Sequence, residues 1–150
     1  MIREVQEKDY EIYMELTKEF YESDAVLHPI PESHRKAAWE EVMRSKDYVQ
    51  AYILEEKEEP VGYGLVSKTF SQEAGGMVIW VEELYIRSAY RGLGLGKQFF
   101  SFVEREFSSM VSRLRLEVEP ENQRAKELYE KIGYEILDYV QMVKERNAER

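Results

Sequence analysis

Two glutamates stand side by side in a segment that is otherwise apolar. Residues 77–86 read MVIWVEELYI, and Glu82 and Glu83 interrupt the run. A regular strand covered on both faces would carry one of two consecutive carboxylates into a core, which is unfavourable unless the charge is paired. A bulge would relieve this, because the extra residue bends the strand and re-aims its side chains. The pair therefore indicates either ion pairs with Lys or Arg, or carboxylates that line a cleft.

Carboxylates in a cleft have a clear chemical use. They can bind an ammonium group, accept its proton, or do both. Alkylamines have pKa values of about 10, so an amine must lose a proton before it attacks an electrophile. Burial raises the pKa of a carboxyl group toward the range in which it can accept that proton. We predict that at least one of Glu82 and Glu83 has this function, and the residues alone do not choose between them.

A second candidate site follows a few residues later. Residues 90–98 read YRGLGLGKQ, with three glycines in five residues and the cations Arg91 and Lys97 at either side. A strand pattern precedes this segment and an amphipathic helix pattern follows it. The first N–H groups of a helix have no internal acceptor, and with the helix dipole they attract an anion. Glycine lets that anion approach the backbone, so the segment predicts a phosphate or pyrophosphate site.

Two familiar phosphate motifs do not fit this spelling. A P-loop needs a glycine five residues before Gly96 and a Ser or Thr after Lys97, where this chain has Arg91 and Gln98. In the dinucleotide motif G-x-G-x-x-G, the third glycine would fall on Lys97 or on Phe99. The segment therefore belongs to neither class.

Tyr129 and Asn122 lie in a third segment, ENQRAKELYEKIG. Tyr129 shares an apolar helical face with Ala125, Leu128 and Ile132, and this periodicity alone favours a core aromatic residue. Asn122 is expected to be the N-cap of the helix. The spacing by itself assigns no chemistry to either side chain.

The elements follow the predicted order β-α-α-β-β-β-α-β-α-β. Asp9 and Ser33 are expected to be the N-caps of the first two helices. A hairpin turns at EEKEEP, and YEILDYVQMVK, residues 134–144, is expected to form the last strand. Antiparallel hairpins followed by a right-handed β-α-β crossover give a sheet with helices on both faces.

Composition limits the function classes. The 150 residues favour one domain over 1–150, and the absence of cysteine excludes disulfides, thiolate zinc sites and a cysteine nucleophile. Two histidines in a Pro-rich loop give no metal site. The net charge of -9 argues against nonspecific nucleic-acid binding. No apolar run approaches the roughly 20 residues of a membrane span, so we expect a cytoplasmic protein that binds neither membrane nor nucleic acid.

The spelling that does fit is Arg91-x-x-Gly94-x-Gly96, and it resembles the pyrophosphate loop of the GNAT superfamily of N-acetyltransferases. The block VEELYIRSAYRGLGLGKQFFSFVE is similar to the strand, loop and helix of that family. The block NQRAKELYEKIGYE is similar to its closing motif. The two blocks span Val81 to Glu135.

The resemblance implies an α+β fold in three layers, with a mixed, mostly antiparallel sheet, helices on both faces and a splayed central strand pair. It implies acetyl-CoA as the cosubstrate and no metal. The backbone of Leu84 and Ile86 would pair with the pantetheine arm, and Asn122 would lie beside it. Tyr129 would face the thioester sulfur as general acid. The pyrophosphate would be held by Arg91 and by the backbone N–H groups of Gly92, Leu93, Gly94, Leu95, Gly96 and Lys97.

The implied reaction is direct attack of a primary amine on the thioester. Backbone N–H groups at a bulge in the fourth strand would stabilise the oxyanion. The acceptor is expected to be a small molecule, a polyamine-like compound or a peptide N-terminus. Acid pairs at this place resemble those of polyamine acetyltransferases. A non-catalytic acyl-CoA sensor and an unrelated phosphate-binding domain are the alternatives, and a homodimer is possible. The segments expected to shape the acceptor site carry Tyr10, Tyr13, Tyr21, His28, His34 and Trp39.

Overall fold

A five-stranded mixed sheet organises the protein in the computed structural model, which describes residues 1–146. The strands lie in the order β1-β2-β3-β4-β5; all neighbours are antiparallel except β4 and β5, which are parallel. The predicted mixed, mostly antiparallel sheet is confirmed. The elements are β1 (Ile2–Glu4), α1 (Tyr10–Tyr21), α2 (Glu32–Arg44), β2 (Val49–Glu56), β3 (Glu59–Ser71), β4 (Gly76–Ile86), α3 (Leu95–Glu106), β5 (Val111–Leu116) and α4 (Gln123–Lys131).

The chain divides into two compact units. Residues 1–116 hold the whole sheet with α1, α2 and α3, and the second unit begins at Glu117 and contains α4. The single domain over 1–150 stays a prediction. None of the helices within residues 1–146 is long and apolar enough to cross a membrane.

Helices α1 and α2 cover one face of the sheet. Leu16 of α1, Trp39 of α2 and Tyr63 of β3 are buried in a single apolar cluster. The rings of Tyr13 and Trp39 lie 5.1 Å apart, and those of Tyr13 and Tyr63 lie 5.8 Å apart. This aromatic packing fixes α1 against β3, which matters for the site below.

Helix α3 covers the opposite face. Phe99 of α3 is fully buried and lies directly over Gly64 of β3. A Cβ at Gly64 would stand 2.2 Å from the Phe99 ring, so only glycine lets the helix pack this closely. The predicted three layers, helix–sheet–helix, follow from these two faces.

Of the two predicted caps, Asp9 occupies the N-cap position of α1 without a side-chain capping bond, and Ser33 is wrong. Asp9 precedes α1 but its carboxylate does not cap that helix; it accepts hydrogen bonds from Arg3 at 2.8 Å and from the Gln6 N–H at 2.7 Å. The Asp9 side chain binds Arg3 because a charge-assisted hydrogen bond is stronger than a capping bond to a backbone N–H group. Helix α2 begins at Glu32 after Pro31 in an extended conformation, so Ser33 lies inside the first turn. Proline is favourable there because a residue that precedes a helix needs no N–H group.

The predicted last strand is also wrong. Residues 134–146 have no regular secondary structure, and Ile136 and Val140 are 72% and 91% exposed. Alternating apolar residues show that a segment suits a strand, but a strand also requires a neighbour with which to form a ladder. The described residues form no ladder with this segment.

Candidate active site

A β-bulge lies at the acidic pair of β4. In the ladder between β3 and β4, Leu65 pairs with Glu83 while the next residue, Val66, pairs with Val81. Glu82 is therefore an extra residue with no partner in β3, and the bulge expected from the sequence is confirmed. Glu83 accepts a hydrogen bond from Tyr21 of α1, and Glu82 accepts one from Ser67, which lies two residues after Leu65, a member of the apolar cluster beneath α1. The bulge thus brings both acids to the α1 side of the sheet instead of sending one toward α3.

Glu83 is bound by two tyrosine hydroxyls from different elements. Tyr21, the last residue of α1, and Tyr63 of β3 both donate to its carboxylate, Tyr63 at 2.7 Å. Burial raises the pKa of the Glu83 carboxyl group, the two hydroxyls lower it, and the nearby charge of Glu82 raises it; the net direction is upward. Burial and the Glu83 charge raise the pKa values of Tyr21 and Tyr63, so both hydroxyls stay protonated and donate.

Glu82 is exposed, and it accepts a hydrogen bond from the Ser67 hydroxyl of β3 at 2.5 Å. Among the salt bridges formed within residues 1–146, none involves Glu82 or Glu83. The alternative in which both carboxylates form structural ion pairs with Lys or Arg is therefore wrong. Within the described residues the pair has no built-in cation, which is what a site for an ammonium group requires.

One edge of β4 is open beyond the bulge. The parallel ladder with β5 ends at Val81 and Leu116, whereas the ladder with β3 continues to Ile86. Residues 82–86 therefore have a strand neighbour on only one side within the described part of the chain. The predicted splay of the central strand pair is confirmed.

The register shows which backbone groups face the open edge. The Arg87 N–H donates to the Val61 carbonyl at 2.9 Å, so Ile86 and Gly62 form a non-hydrogen-bonded pair. The N–H and C=O groups of Ile86 consequently point away from β3. Because the register is regular over these residues, the same holds for Leu84, two residues earlier. These are the two residues expected to pair with pantetheine, and that role stays a prediction.

The glycine loop follows β4 and leads into α3. Gly92 and Gly94 have φ angles of +80° and +83°, and a Cβ built on either would meet nothing within 4 Å. Packing therefore does not explain these glycines; the left-handed backbone and the open space beside it do. The first hydrogen bond of α3 runs from the Gln98 N–H to the Gly94 carbonyl at 3.0 Å. The N–H groups of residues 95–97 have no acceptor within the helix.

The side chains around the loop differ in exposure and charge. Leu95 is buried, whereas Leu93 and Lys97 are exposed. The exposed Arg91 donates through Nε to the Ile86 carbonyl at 2.8 Å, and its guanidinium lies 5.9 Å from the centre of the Tyr85 ring. A Cβ at Gly96 would lie 4.0 Å from the nearest side-chain carbons of β4. The loop can hold a pyrophosphate, since it offers unpaired N–H groups, two cations and space.

Asn122 and Tyr129 lie in the second unit. The Asn122 side chain accepts a hydrogen bond from the Ala125 N–H at 3.2 Å, so the predicted N-cap is confirmed. Tyr129 lies in α4 with its ring 6.2 Å from that of Tyr134, and burial raises the pKa of its hydroxyl group. Their roles beside the cofactor stay predictions.

Sequence reasoning missed Tyr63 and Ser67, and it gave Tyr21 no specific partner. All three contact the acidic pair through side chains, and two of them come from β3, the antiparallel neighbour of β4. The sequence predicts the β3–β4 hairpin but not the register that brings these residues to the acids. Once β3 and β4 are recognised as a hairpin, the position of the bulge decides which residues of β3 face the acids.

Within residues 1–146, no group of three or more His, Cys, Asp or Glu side chains could hold a metal ion. The model of the acetyltransferase (GNAT) family matches residues 10–134.

The chain belongs to the acetyltransferase (GNAT) family.

The resemblance expected from the two motifs is thereby confirmed, and so is the expectation of an acyltransferase. The chain is 31% identical to the thialysine N-epsilon-acetyltransferase of Bos taurus, over 91% of this chain and 85% of that protein. A possible acetyltransferase of Clostridium difficile 630 has the same fold, with a TM-score of 0.83 at 18% identity over 98% and 97% of the two chains. An aminoglycoside N-acetyltransferase, AAC(6')-Iy in complex with CoA, gives a TM-score of 0.76 at 18% identity over 98% and 100%.

Proposed function

We propose that this GNAT acetyltransferase uses acetyl-CoA to acetylate a primary amine by direct attack. The observation that carries the proposal is the open edge of β4. It begins at the acidic pair and ends just before the glycine loop, so one strand segment connects a carboxylate site to an anion site. From Glu83 to Ile86 the strand advances roughly 10 Å, at about 3.3 Å per residue. An extended pantetheine arm suits such an edge because it carries amide groups that can pair with a strand.

The loop forms the cofactor end of the site in this proposal. Arg91 and the N–H groups of residues 92–97 hold the pyrophosphate. Leu84 and Ile86 offer backbone groups to the pantetheine amides, Ile86 through its N–H, since its carbonyl already accepts from Arg91. Asn122 would assist beside the arm. Bound acetyl-CoA supplies the activated acetyl thioester. That a relative of the same fold is in complex with CoA supports this choice of cofactor.

The acidic pair forms the acceptor end. An ammonium group is attracted to Glu82 and Glu83, and it gives one proton to a carboxylate to become a neutral amine. Its nitrogen then forms a bond to the carbonyl carbon while the C–S bond breaks. The departing thiolate takes a proton from the Tyr129 hydroxyl, and the nitrogen gives up its second proton, which restores Tyr129. Backbone N–H groups at the bulge stabilise the developing negative oxygen.

The acceptor is inferred to be a small amine that carries further positive charge. Two uncompensated carboxylates attract such a molecule more strongly than a neutral amine. The relative at 31% identity is named as a thialysine N-epsilon-acetyltransferase, which supports a small amine as the acceptor. The homodimer and the cytoplasmic location stay predictions.

A thiol-release assay tests the proposed function. Acetyl-CoA is incubated with the protein and, in turn, with thialysine, spermidine, an aminoglycoside and a peptide with a free N-terminus. We expect amine-dependent release of CoA, greatest with a small polycationic amine, and mass spectrometry should detect the N-acetylated product. Binding of acetyl-CoA without release in the presence of any amine would favour the acyl-CoA sensor instead.

A further inference from the structure

Two tyrosines converge on one acid at the bulge, and neither has a role in the reaction described above. We propose that Tyr21 and Tyr63 are positioning residues that hold the Glu83 carboxylate, by neutral hydroxyl groups instead of a cation, as the proton acceptor of the site. Glu82 is then the group that first meets the incoming ammonium. This inference rests on the proposed function, which left the two acids interchangeable.

The two hydroxyls are fixed by packing. Tyr63 has no exposed surface, and its ring lies 5.8 Å from that of Tyr13. Tyr21 ends α1, and the preceding residue, Phe20, packs against the rings of Tyr21, Tyr63 and Tyr85 at 5.1, 6.1 and 6.1 Å. The end of α1 is therefore anchored to the sheet where its last side chain reaches Glu83. Such anchoring orients the carboxylate before any acceptor arrives.

Asp9 of the same chain is a carboxylate held by a cation instead of by neutral hydroxyl groups. Its carboxylate is paired with the Arg3 guanidinium through two hydrogen bonds at 2.8 and 3.0 Å, and that partner lowers the pKa of Asp9. A carboxylate held in this way neither accepts a proton near neutral pH nor attracts a second cation. Glu83 accepts two hydrogen bonds from neutral donors, so its position is fixed while its charge stays uncompensated.

The groups that face Glu83 come from three elements. Glu82 lies beside it on β4, Tyr63 on β3, and Tyr21 with Tyr13 on α1. Arg35 of α2 lowers the pKa of Tyr13, and it donates to the Met14 carbonyl and the Thr17 hydroxyl at 2.7 and 3.3 Å. The Tyr21 and Tyr63 hydroxyls are the groups that lower the pKa of Glu83, whereas the charge of Glu82 raises it.

The two acids therefore differ in kind. Glu82 is exposed to solvent, and its side-chain partner is the Ser67 hydroxyl. Glu83 is half-buried and held from two sides. A proton acceptor benefits from burial and fixed geometry, whereas a charge-attracting group benefits from exposure.

The test is a titration of Glu83 itself, without cofactor or amine. Protein labelled with 13C at the glutamate carboxyl is titrated by NMR, and the Glu83 resonance is assigned by its loss in Glu83→Gln. Tyr21→Phe keeps the ring and removes one donor that lowers the pKa of Glu83, so this pKa should rise. Glu82→Gln removes a neighbouring negative charge, so the pKa should fall. Tyr10→Phe is the matched control on α1; its ring packs on Trp39, and it should leave the titration unchanged.

The pH profile of kcat/KM should move with the titration. In Tyr21→Phe the ascending limb should shift to higher pH by the same amount, with about tenfold lower kcat/KM at pH values below both midpoints. Tyr63→Phe should shift it in the same direction. An unmoved Glu83 resonance in both tyrosine variants would overturn the positioning role. A shifted resonance in a protein that acetylates no amine would support the positioning role and refute the proposed function.

Discussion

The glycine loop and the acidic bulge lie about ten residues apart in the chain, and in the proposed function they bind opposite charges by opposite means. The loop offers backbone N–H groups of consecutive residues, and no side chain of residues 1–146 approaches the Cβ positions of Gly92 and Gly94 within 4 Å. The bulge offers side chains that depend on α1, β3 and β4 together. The loop is thus a local structure, whereas the acidic site exists only when three elements pack correctly.

This difference predicts how the two regions respond to mutation. A change in the loop should affect cofactor binding and leave the rest of the fold intact. A change at the acidic site should affect turnover and, because Glu83 holds two tyrosine hydroxyls, should also affect stability.

The largest effect is expected for Gly94→Asp. The substitution places a side chain and a negative charge where the pyrophosphate should bind. Acetyl-CoA at 100 times its Kd should stabilise the wild type by about 2.7 kcal/mol and should give this variant no thermal shift. Gly75→Asp is the matched control, since Gly75 also has a positive φ angle, +74°, and open space around it. If both variants bind acetyl-CoA equally well, the loop is not the anion site.

Tyr129→Phe tests a group that belongs to neither region. As general acid it acts in the transition state, so kcat should fall by about 10²–10⁴ while the Kd of acetyl-CoA stays the same. Tyr134→Phe, which alters the neighbouring ring of the same unit, provides the comparison. If kcat is equal in the wild type, Tyr129→Phe and Tyr134→Phe, then Tyr129 has only a packing role.

Glu82→Gln and Glu83→Gln separate the roles proposed for the two acids of the acceptor site. If Glu83 accepts the proton, its variant should lose about 10²-fold or more in kcat/KM with every amine. In the Glu82 variant KM should rise while kcat changes little, and the rise in KM should grow with the positive charge of the amine. Steady-state kinetics with mono-, di- and triamines measures both. The assignment fails if the two patterns are exchanged.

The smallest effect is a pH dependence of stability. The pKa of Glu83 is raised in the folded state, so this group stabilises the fold below its unfolded pKa, and the stabilisation is lost as pH rises through the folded pKa. Thermal unfolding of wild type between pH 4 and pH 8 should contain this loss, and the Glu83→Gln curve should lack it. Identical pH dependence of the two Tm curves would show that Glu83 is not perturbed by its surroundings.

The same contrast explains what the sequence could predict. The position of the glycine loop before α3 could be predicted because consecutive residues determine it, and the bulge could be predicted because two carboxylates in an apolar strand need relief. Tyr63 and Ser67 were not readable, since the register of β3 against β4 decides what they face. The Asp9 side chain was expected to cap α1 because the local sequence does not show that Arg3, which lies on a different element, binds the Asp9 carboxylate. The last strand was predicted from alternation alone, which carries no information about a partner strand.

Calorimetric titration of acetyl-CoA into Glu83→Gln, beside wild type and Gly94→Asp, tests most directly whether the cofactor and acceptor ends are separate. We expect Glu83→Gln to bind acetyl-CoA with the wild-type Kd although its turnover is lost, and Gly94→Asp to lose both. A Glu83→Gln protein that folds and yet binds acetyl-CoA as poorly as Gly94→Asp would contradict the account.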